Sequence, residues 1–395
     1  MAATSAFGRL CLIGFTAHLS YALARFPVVP LFARSLGLSE TMIGMVVGAS
    51  TSTGVLLKLP AGRMSDLLGR RPLLIVSACA FALPPFFYPL VTAGLALLAL
   101  RMVHGLATAT FGPVSSAIVS DIAEPARRGE RLSTFSSATL VGKSLGPLLG
   151  AYLIFGENYS WPFLASGVIG LVALAAALSW KHETFVAPPR GAVRKGEFLA
   201  GIREVTGHFG IMAVSAVEAM QFVATGAMDA FLPIYATASV GLPARMTGWL
   251  YAAQISTTLL AKPLLGRLSD RIGRRPQIVA GLLVAGVAIA LVGAAKGFVA
   301  LLAVSALYGF GVAVTTSSTA ALVTDLAPRE RYGAAHGVFG TIMDIGHAAG
   351  PVATGLLASA LGVGQAMAIV GGVLVISAGI FAVIPLGRSY SGATR

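Results

Sequence analysis

The chain of 395 residues is 56% hydrophobic and only 11% charged, with a mean hydropathy of +0.83, whereas an ordinary soluble domain carries about 25% charged residues. So few charges cannot cover a soluble surface, which argues against a soluble enzyme or a nucleic-acid binder despite the net charge of +13. The basic residues lie in short loops between apolar runs. Cys11 and Cys79 both fall inside apolar runs, with no disulfide framework and no Cys/His metal spacing.

A membrane helix needs roughly 20 mainly apolar residues. In chain order the hydropathy predicts twelve, at 8–31, 41–61, 72–92, 94–119, 133–155, 160–180, 209–236, 246–266, 276–295, 297–322, 334–358 and 364–387. The first follows Arg9; it is too long for the apolar core of a cleaved signal and no small-residue cleavage site follows it. The last two are unambiguous, because Ala348–Gly387 holds no ionisable residue. Between the sixth and seventh, Lys181–His208 is the one long polar stretch, with Pro188-Pro189 and a short amphipathic helix expected near Phe198–Val205. The expected organisation is a six-helix bundle over 1–180, a linker over 181–208 and a second six-helix bundle over 209–395.

Basic residues orient the chain. One set of loops and tails holds Arg9, Arg63, Arg70, Arg71, Arg127, Arg128, Arg131, Lys181, Arg190, Arg194, Lys195, Arg203, Arg267, Arg271, Arg274, Arg275, Arg329, Arg331, Arg388 and Arg395. The other holds Arg34, Arg245 and Lys296. Both termini and the linker are therefore expected in the cytoplasm.

The halves repeat. A shift of 204 residues lays GRMSDLLGRRP (Gly62–Pro72) on GRLSDRIGRRP (Gly266–Pro276), identical at 8 of 11 positions. It also lays Asp121 on Asp325, Lys58 on Lys262, and GKSLGP from Gly142 on GHAAGP from Gly346. An offset of six spans keeps the membrane direction, so the repeats are parallel. Gly62 and Gly266 read as sites of close helix approach. Asp66 and Asp270 sit at helix ends, where a carboxylate facing a neighbouring helix N-terminus gains roughly 0.3–1 kcal/mol. Arg70 and Arg274 can pair with Asp121 and Asp325. The plainer reading is that Arg70, Arg71, Arg274 and Arg275 only orient the chain. Gly142, Gly146 and Gly150 share one helix face beside Pro147, and Gly346, Gly350 and Pro351 repeat the pattern; ordinary small-residue packing explains these equally well.

Two six-helix halves, each with G-R-x-S-D-x-x-G-R-R-P, resemble the major facilitator superfamily over nearly the whole chain. The run at Gly142–Gly150 resembles the signature of its proton-coupled drug-efflux members. The resemblance implies an all-α membrane protein of twelve transmembrane helices in two pseudo-symmetric six-helix bundles, with one central cavity and alternating access. It implies that the loop motif is a cytoplasmic latch, and that the Gly142 face packs on helix 8 or another helix of the opposite half. ALRMVHG at Arg101 resembles the family's R-x-x-Q-G element, with His104 in place of glutamine, and implies a role in proton coupling or substrate charge.

Ionisable residues inside spans are costly, at roughly 2.5–3.5 kcal/mol for a charge near the bilayer centre. Besides Arg101 and His104, the chain carries His18, Arg25, Lys143, Glu218, Asp229, Asp344 and His347. Asp344 and His347 share a helical face. A Lys143–Asp344 pair across the cavity and an Arg25–Asp229 pair near the outer end are expected, with buried structural ion pairs as the alternative. Glu218 reads either as a proton carrier or as an interfacial residue. The resulting expectation is a secondary transporter, not an enzyme. It needs no cofactor or metal and has no nucleic-acid partner. It is expected as a monomer in the lipid bilayer of a bacterial inner membrane, exporting a small molecule against protons. Uptake or exchange of an organic anion is the alternative, and a non-transporting membrane sensor a remote one.

Overall fold

The computed structural model describes residues 2–124, 127–180 and 195–386, the side chains of 2–5, 66 and 195–200 excepted. They form fourteen α-helices: α1 (Ala2–Arg25), α2 (Val28–Ser35), α3 (Glu40–Leu68), α4 (Arg70–Ala82), α5 (Gly94–Ile122), α6 (Arg128–Tyr152), α7 (Ser160–Leu178), α8 (Lys195–Gly207), α9 (Phe209–Ile234), α10 (Ala244–Ile272), α11 (Arg274–Ala290), α12 (Phe298–Leu326), α13 (Tyr332–Leu361) and α14 (Val363–Val383). Among the described residues they supply nine spans long and apolar enough to cross a membrane, the first made of α1 and α2 together and some others joined to an adjoining turn. α6, α10 and α13 are as long, at 25, 29 and 30 residues, but more polar. With α1 and α2 counted as one span and α8 set aside, the spans number twelve.

Local chemistry sets the boundaries. The predicted span 8–31 is broken at Pro27 into α1 and α2, because proline has no N–H and clashes with the preceding turn. Ser39 caps α3 by accepting from the Met42 N–H at 3.3 Å. α3 continues to Leu68 and α10 to Ile272, past the predicted ends at 61 and 266. Each stops at a single glycine, Gly69 or Gly273, both at φ +94°, a backbone region open only to glycine. The basic motif is therefore helix, one glycine and helix again, with Gly62, Asp66, Gly266 and Asp270 inside helices. The repeat is kept to the residue: α3 and α10 start and stop 204 apart, as do α5 and α12.

The chain divides into two compact units, one of Met1–Pro189 with Gly241–Ala252, the other of Arg190–Val240 with Ala253–Arg395. In the first, the apolar core gathers Leu10, Ile13, Phe81, Phe111 and Trp180, all wholly or almost wholly buried. Two serines tie α1 to α7 within it: Ser20 Oγ donates to the Ser166 carbonyl and Ser166 Oγ to the Ser20 carbonyl, each at 2.8 Å. In the second, Phe231, Leu282, Tyr308 and Phe381 are fully buried. α8 belongs to this unit. Its Val205 is buried, and Glu204 accepts from Arg331 Nε at 2.8 Å.

The glycine seams have a different partner from the one expected. A Cβ at Gly142 would strike the Phe15 carbonyl; one at Gly146, Ala22; one at Gly150, the Leu23 carbonyl. All three belong to α1, in the same unit. In the second unit Gly346 and Gly350 press on the carbonyls of Ala219 and Val223 of α9, the repeat mate of α1. Pro147 and Pro351 each lie inside their helix, one residue beyond a seam glycine. What α10 touches on α6 is the neighbouring strip, where a Cβ at Gly248 would come 2.7 Å from the Ala151 Cβ.

Candidate transport sites in the two units

In the first unit, α5 carries Arg101 and His104 one turn apart. Gly105 follows, and a Cβ there would lie 2.8 Å from the Ser50 Cα, so glycine lets α3 approach α5. Arg101 is fully buried. Its Nη2 donates to Ser50 Oγ, its Nη1 to the Tyr88 hydroxyl at 3.4 Å and its Nε to the Val46 carbonyl at 3.4 Å. The Tyr88 hydroxyl also bonds His104 Nδ1 at 3.0 Å. Tyr21 of α1 stands in the middle. Its ring meets His104 edge-on at 4.8 Å, with the Arg101 guanidinium at 5.9 Å and that of Arg25 at 5.6 Å. Arg25 stacks on Phe26 at 4.5 Å and donates from Nη2 to Thr51 Oγ1 at 3.0 Å. Among the described residues, neither arginine has a carboxylate partner. His18 lies apart from this group. It sits between Phe81 and Phe111, at 5.8 and 5.3 Å, and its Nδ1–H donates to the Gly14 carbonyl at 3.0 Å. It is buried. Lys143 is exposed on α6, next to Gly142.

The second unit holds the acids. Glu218 of α9 is buried, with Thr319 and Lys262 as polar neighbours and Oε2 without a partner. One turn on, Gln221 Nε2 donates to the Tyr308 hydroxyl at 3.2 Å, which also bonds Thr225 Oγ1 at 3.0 Å. Asp229 Oδ2 bonds His347 Nε2 at 3.0 Å, joining α9 to α13. The His347 ring packs edge-on against Phe222 at 5.7 Å. Asp344, one turn before His347, is buried. The carboxylate bonded to His347 is thus Asp229 of α9.

The basic motifs form matching networks at one end of each unit. Arg70 Nε donates to Asp121 Oδ2 at 3.1 Å and its Nη1 to Ser65 Oγ at 2.6 Å. Arg274 Nε donates to Asp325 Oδ2 at 3.3 Å, its Nη1 pairs with Asp270 Oδ1 at 2.6 Å, and it also bonds Ser269. Asp270 therefore faces its own motif's arginine. The Asp66 side chain lies outside the described residues, as do Lys181, Arg190, Arg194, the Lys195 side chain, Arg388 and Arg395. The second arginine of each motif does something the sequence does not announce. Arg71 reaches the Leu178 carbonyl at 3.4 Å, and Arg275 reaches those of Phe381 and Ile384 at 2.9 and 2.6 Å. Each therefore satisfies carbonyls at the C-terminal end of a helix, α7 for Arg71 and α14 for Arg275, a favourable place for a cation. Outside the spans, a hydrogen bond from Arg127 holds the Glu130 carboxyl below the usual carboxylate range.

The expected glycine roles in the motif are corrected. A Cβ at Gly266 would meet nothing within 4 Å, and one at Gly62 only Pro113 at an ordinary 3.7 Å. The glycines the backbone requires are Gly69 and Gly273. Sequence reading also missed Tyr88, Ser50, and Gln277, whose buried amide donates to the Leu265 carbonyl at 2.8 Å and Ser317 at 2.9 Å. Nothing in their local sequence marks them; only the fold brings them to the site.

Comparison with known proteins agrees with this architecture. The family model of the Major Facilitator Superfamily matches residues 10–237 and 214–394. An uncharacterized MFS-type transporter of Methanocaldococcus jannaschii is 24% identical over 85% of this chain and 87% of its own length. A multi-drug resistance efflux pump PmrA homolog of Lactococcus lactis is 24% identical over 77% and 76%. Multidrug resistance protein 2 of Bacillus subtilis is 22% identical over 84% and 83%. Among solved structures, a bacterial homolog of the human lysosomal transporter Spinster superposes with a TM-score of 0.82 at 18% identity, covering 96% of both chains. The nucleoside transporter NupG gives 0.79 at 14% identity, covering 95% of this chain and 98% of its own. With twelve helical spans in two repeated units and both halves matched by the family model, the chain belongs to the Major Facilitator Superfamily of membrane transporters.

Proposed function

We propose that the chain is a secondary active transporter that exports a small molecule in exchange for protons by alternating access. The observation that carries this reading is the deep charge in each unit. Arg101 is fully buried in the first and Glu218 is buried in the second, where Asp229 of α9 and His347 of α13 are bonded to each other. A membrane scaffold does not keep such groups at several kcal/mol each for packing alone. Carboxylates and histidines that exchange protons are the groups a proton-driven cycle needs, so Glu218, Asp229, Asp344 and His347 are assigned to proton coupling. The names of the Lactococcus and Bacillus relatives support export as the direction. In this reading the arginine-rich ends, both termini and the linker face the cytoplasm of a bacterial cell. The chain works as a monomer in the inner membrane, and the Arg70–Asp121 and Arg274–Asp325 pairs serve as its cytoplasmic latch.

The test is export from cells. Cells expressing the chain are loaded with a fluorescent quinolone, an aromatic carboxylate dye or ethidium, and loss of the compound is followed. The reading predicts faster loss of at least one compound, abolished by a protonophore and slowed in Glu218→Gln. Faster loss that persists with the proton gradient collapsed would overturn proton coupling. Faster entry in place of loss would overturn export.

A further inference from the structure

The two units leave opposite kinds of polar group unsatisfied. Among the described residues, the buried side-chain atoms of the first unit without a hydrogen-bond partner are Arg25 Nε, Arg71 Nε and His104 Nε2. All are nitrogens. Those of the second unit, Glu218 Oε2 and the Gln221 and Gln254 Oε1 atoms among them, are all oxygens. A buried polar atom without a partner is costly and calls for an explanation.

Two of the three nitrogens surround Tyr21. The Tyr88 hydroxyl accepts from Arg101, and the acceptor in reach of its own proton is His104 Nδ1. A neutral imidazole accepting at Nδ1 carries its proton on Nε2. His104 Nε2–H is therefore a donor with nothing to donate to, as is Arg25 Nε–H. Close by lie two guanidinium charges with no carboxylate. The neutral groups around them (Ser50, Thr51, Tyr88 and the Val46 carbonyl) solvate these charges without cancelling them. What the cluster lacks is an acceptor carrying negative charge.

The internal repeat shows that the fold does not require this charge. At the positions 204 residues on, Tyr21, Arg25, Ser50, Arg101 and His104 are replaced by Thr225, Asp229, Gln254, Ser305 and Tyr308. The helices that carry the last three, α10 and α12, have the same bounds as α3 and α5 after the shift. The same scaffold thus forms with a serine in place of Arg101 and an aspartate in place of Arg25. The cations are an addition to the first unit, not a packing need.

We infer that the first unit holds a binding site for the carboxylate group of a small organic anion. Arg25, which is half-buried, makes the first contact. Arg101 lies behind it and supplies charge through the hydroxyls it orders. His104 Nε2–H donates to the second carboxylate oxygen, and the Tyr21 ring forms the wall. Paired guanidinium donors suit a carboxylate better than a spherical ion. The inference deepens the transport reading by naming the substrate class, and it rests on that reading only for the claim that the bound anion is carried across the membrane.

The test is binding by the full chain purified in detergent, in a carboxylate-free fluoride buffer at constant ionic strength. The probes are benzoate, its neutral isostere benzamide, bromide, and tetraphenylphosphonium as the cation, read by the unfolding midpoint, which rises with ligand occupancy. The expected result is a saturable rise with benzoate and none with benzamide. The benzoate affinity should fall about tenfold or more in Arg25→Gln and in Arg101→Gln. Arg101→Lys, which keeps the charge without the fork, should fall between; it and the half-buried Arg25→Gln keep the test valid if Arg101→Gln fails to fold. A response to bromide alone, an equal response to benzamide, or benzoate binding unchanged in Arg25→Gln would overturn the site. Benzoate bound but not moved across a membrane would leave the site in place and count against the transport reading.

Discussion

Gly69 and Gly273 show how one residue fixes the geometry of a motif. Both hold φ at +94° between two helices, and a side chain there costs of order 1–3 kcal/mol. Gly62 and Gly266, seven residues earlier, have room for a methyl group. Gly69→Ala or Gly273→Ala is expected to lower the thermal unfolding midpoint in detergent by several degrees, whereas Gly62→Ala and Gly266→Ala should leave it almost unchanged. An equal loss from all four would show that Gly62 is a site of close helix approach after all. In the sequence the four glycines look alike. What separates them is backbone torsion and the identity of the neighbour, and neither is written locally. Arg101, His104 and Glu218 are legible because a deep ionisable residue stands out in an apolar run. Tyr88 and Ser50, which orient Arg101, are not, since a tyrosine or serine in a span carries no such signal.

At the scale of helices, the seams between α1 and α6 and between α9 and α13 are backbone contacts made through glycine. A Cβ at Gly146 would lie 2.7 Å from the Leu23 nitrogen, and one at Gly350 2.9 Å from the Val223 Cα. Gly146→Ala and Gly350→Ala must therefore push two helices apart, at an overpacking cost of about 1–3 kcal/mol each. A detergent melt should show both variants less stable than wild type, and a neutral result would mean the seams yield freely. The repeat also explains where α8 docks. In the first unit Arg127 bonds its helix neighbour Glu130 at 2.9 Å. In the second, Arg331 takes the place of Arg127, but Ala334 takes that of Glu130. Arg331 is thereby released to bond Glu204, and a Cβ at Gly201 would be only 3.7 Å from that of Ala334. The pair is partly exposed, so its worth is no more than roughly 1 kcal/mol. Glu204→Arg should speed tryptic cutting around α8, and adding Arg331→Glu should restore protection. No rescue in the double variant would show that α8 is held by its apolar face alone. The 204-residue offset makes the paired helices legible from the order of residues alone. The partner of the glycine face is not, because a small-residue stripe shows that something packs closely without showing what.

For the whole molecule, orientation rests on the count of basic residues at the two ends of the spans. In a background lacking Cys11 and Cys79, single cysteines at Ser39 or Asn158 should react with a membrane-impermeant maleimide added outside intact cells. Cysteines at Glu124 or Thr206 should react only after the cells are opened. The opposite pattern would invert the topology and with it the direction assigned to transport. The twelve-span fold and its duplication are fully legible in the sequence, since hydropathy and repetition are properties of the chain. The substrate is not, because recognition depends on which donors the fold leaves unsatisfied.

The proposed exchange makes proton movement and solute movement one process in this protein. Everted membrane vesicles containing the chain, with an acid interior set by respiration and reported by a pH-sensitive dye, test it directly. Addition of a compound that the vesicles accumulate should release protons at once. That release should disappear in Glu218→Gln while the variant remains in the membrane at the wild-type level. Accumulation of the same compound with no proton release, or accumulation that continues after the gradient is collapsed, would contradict the account.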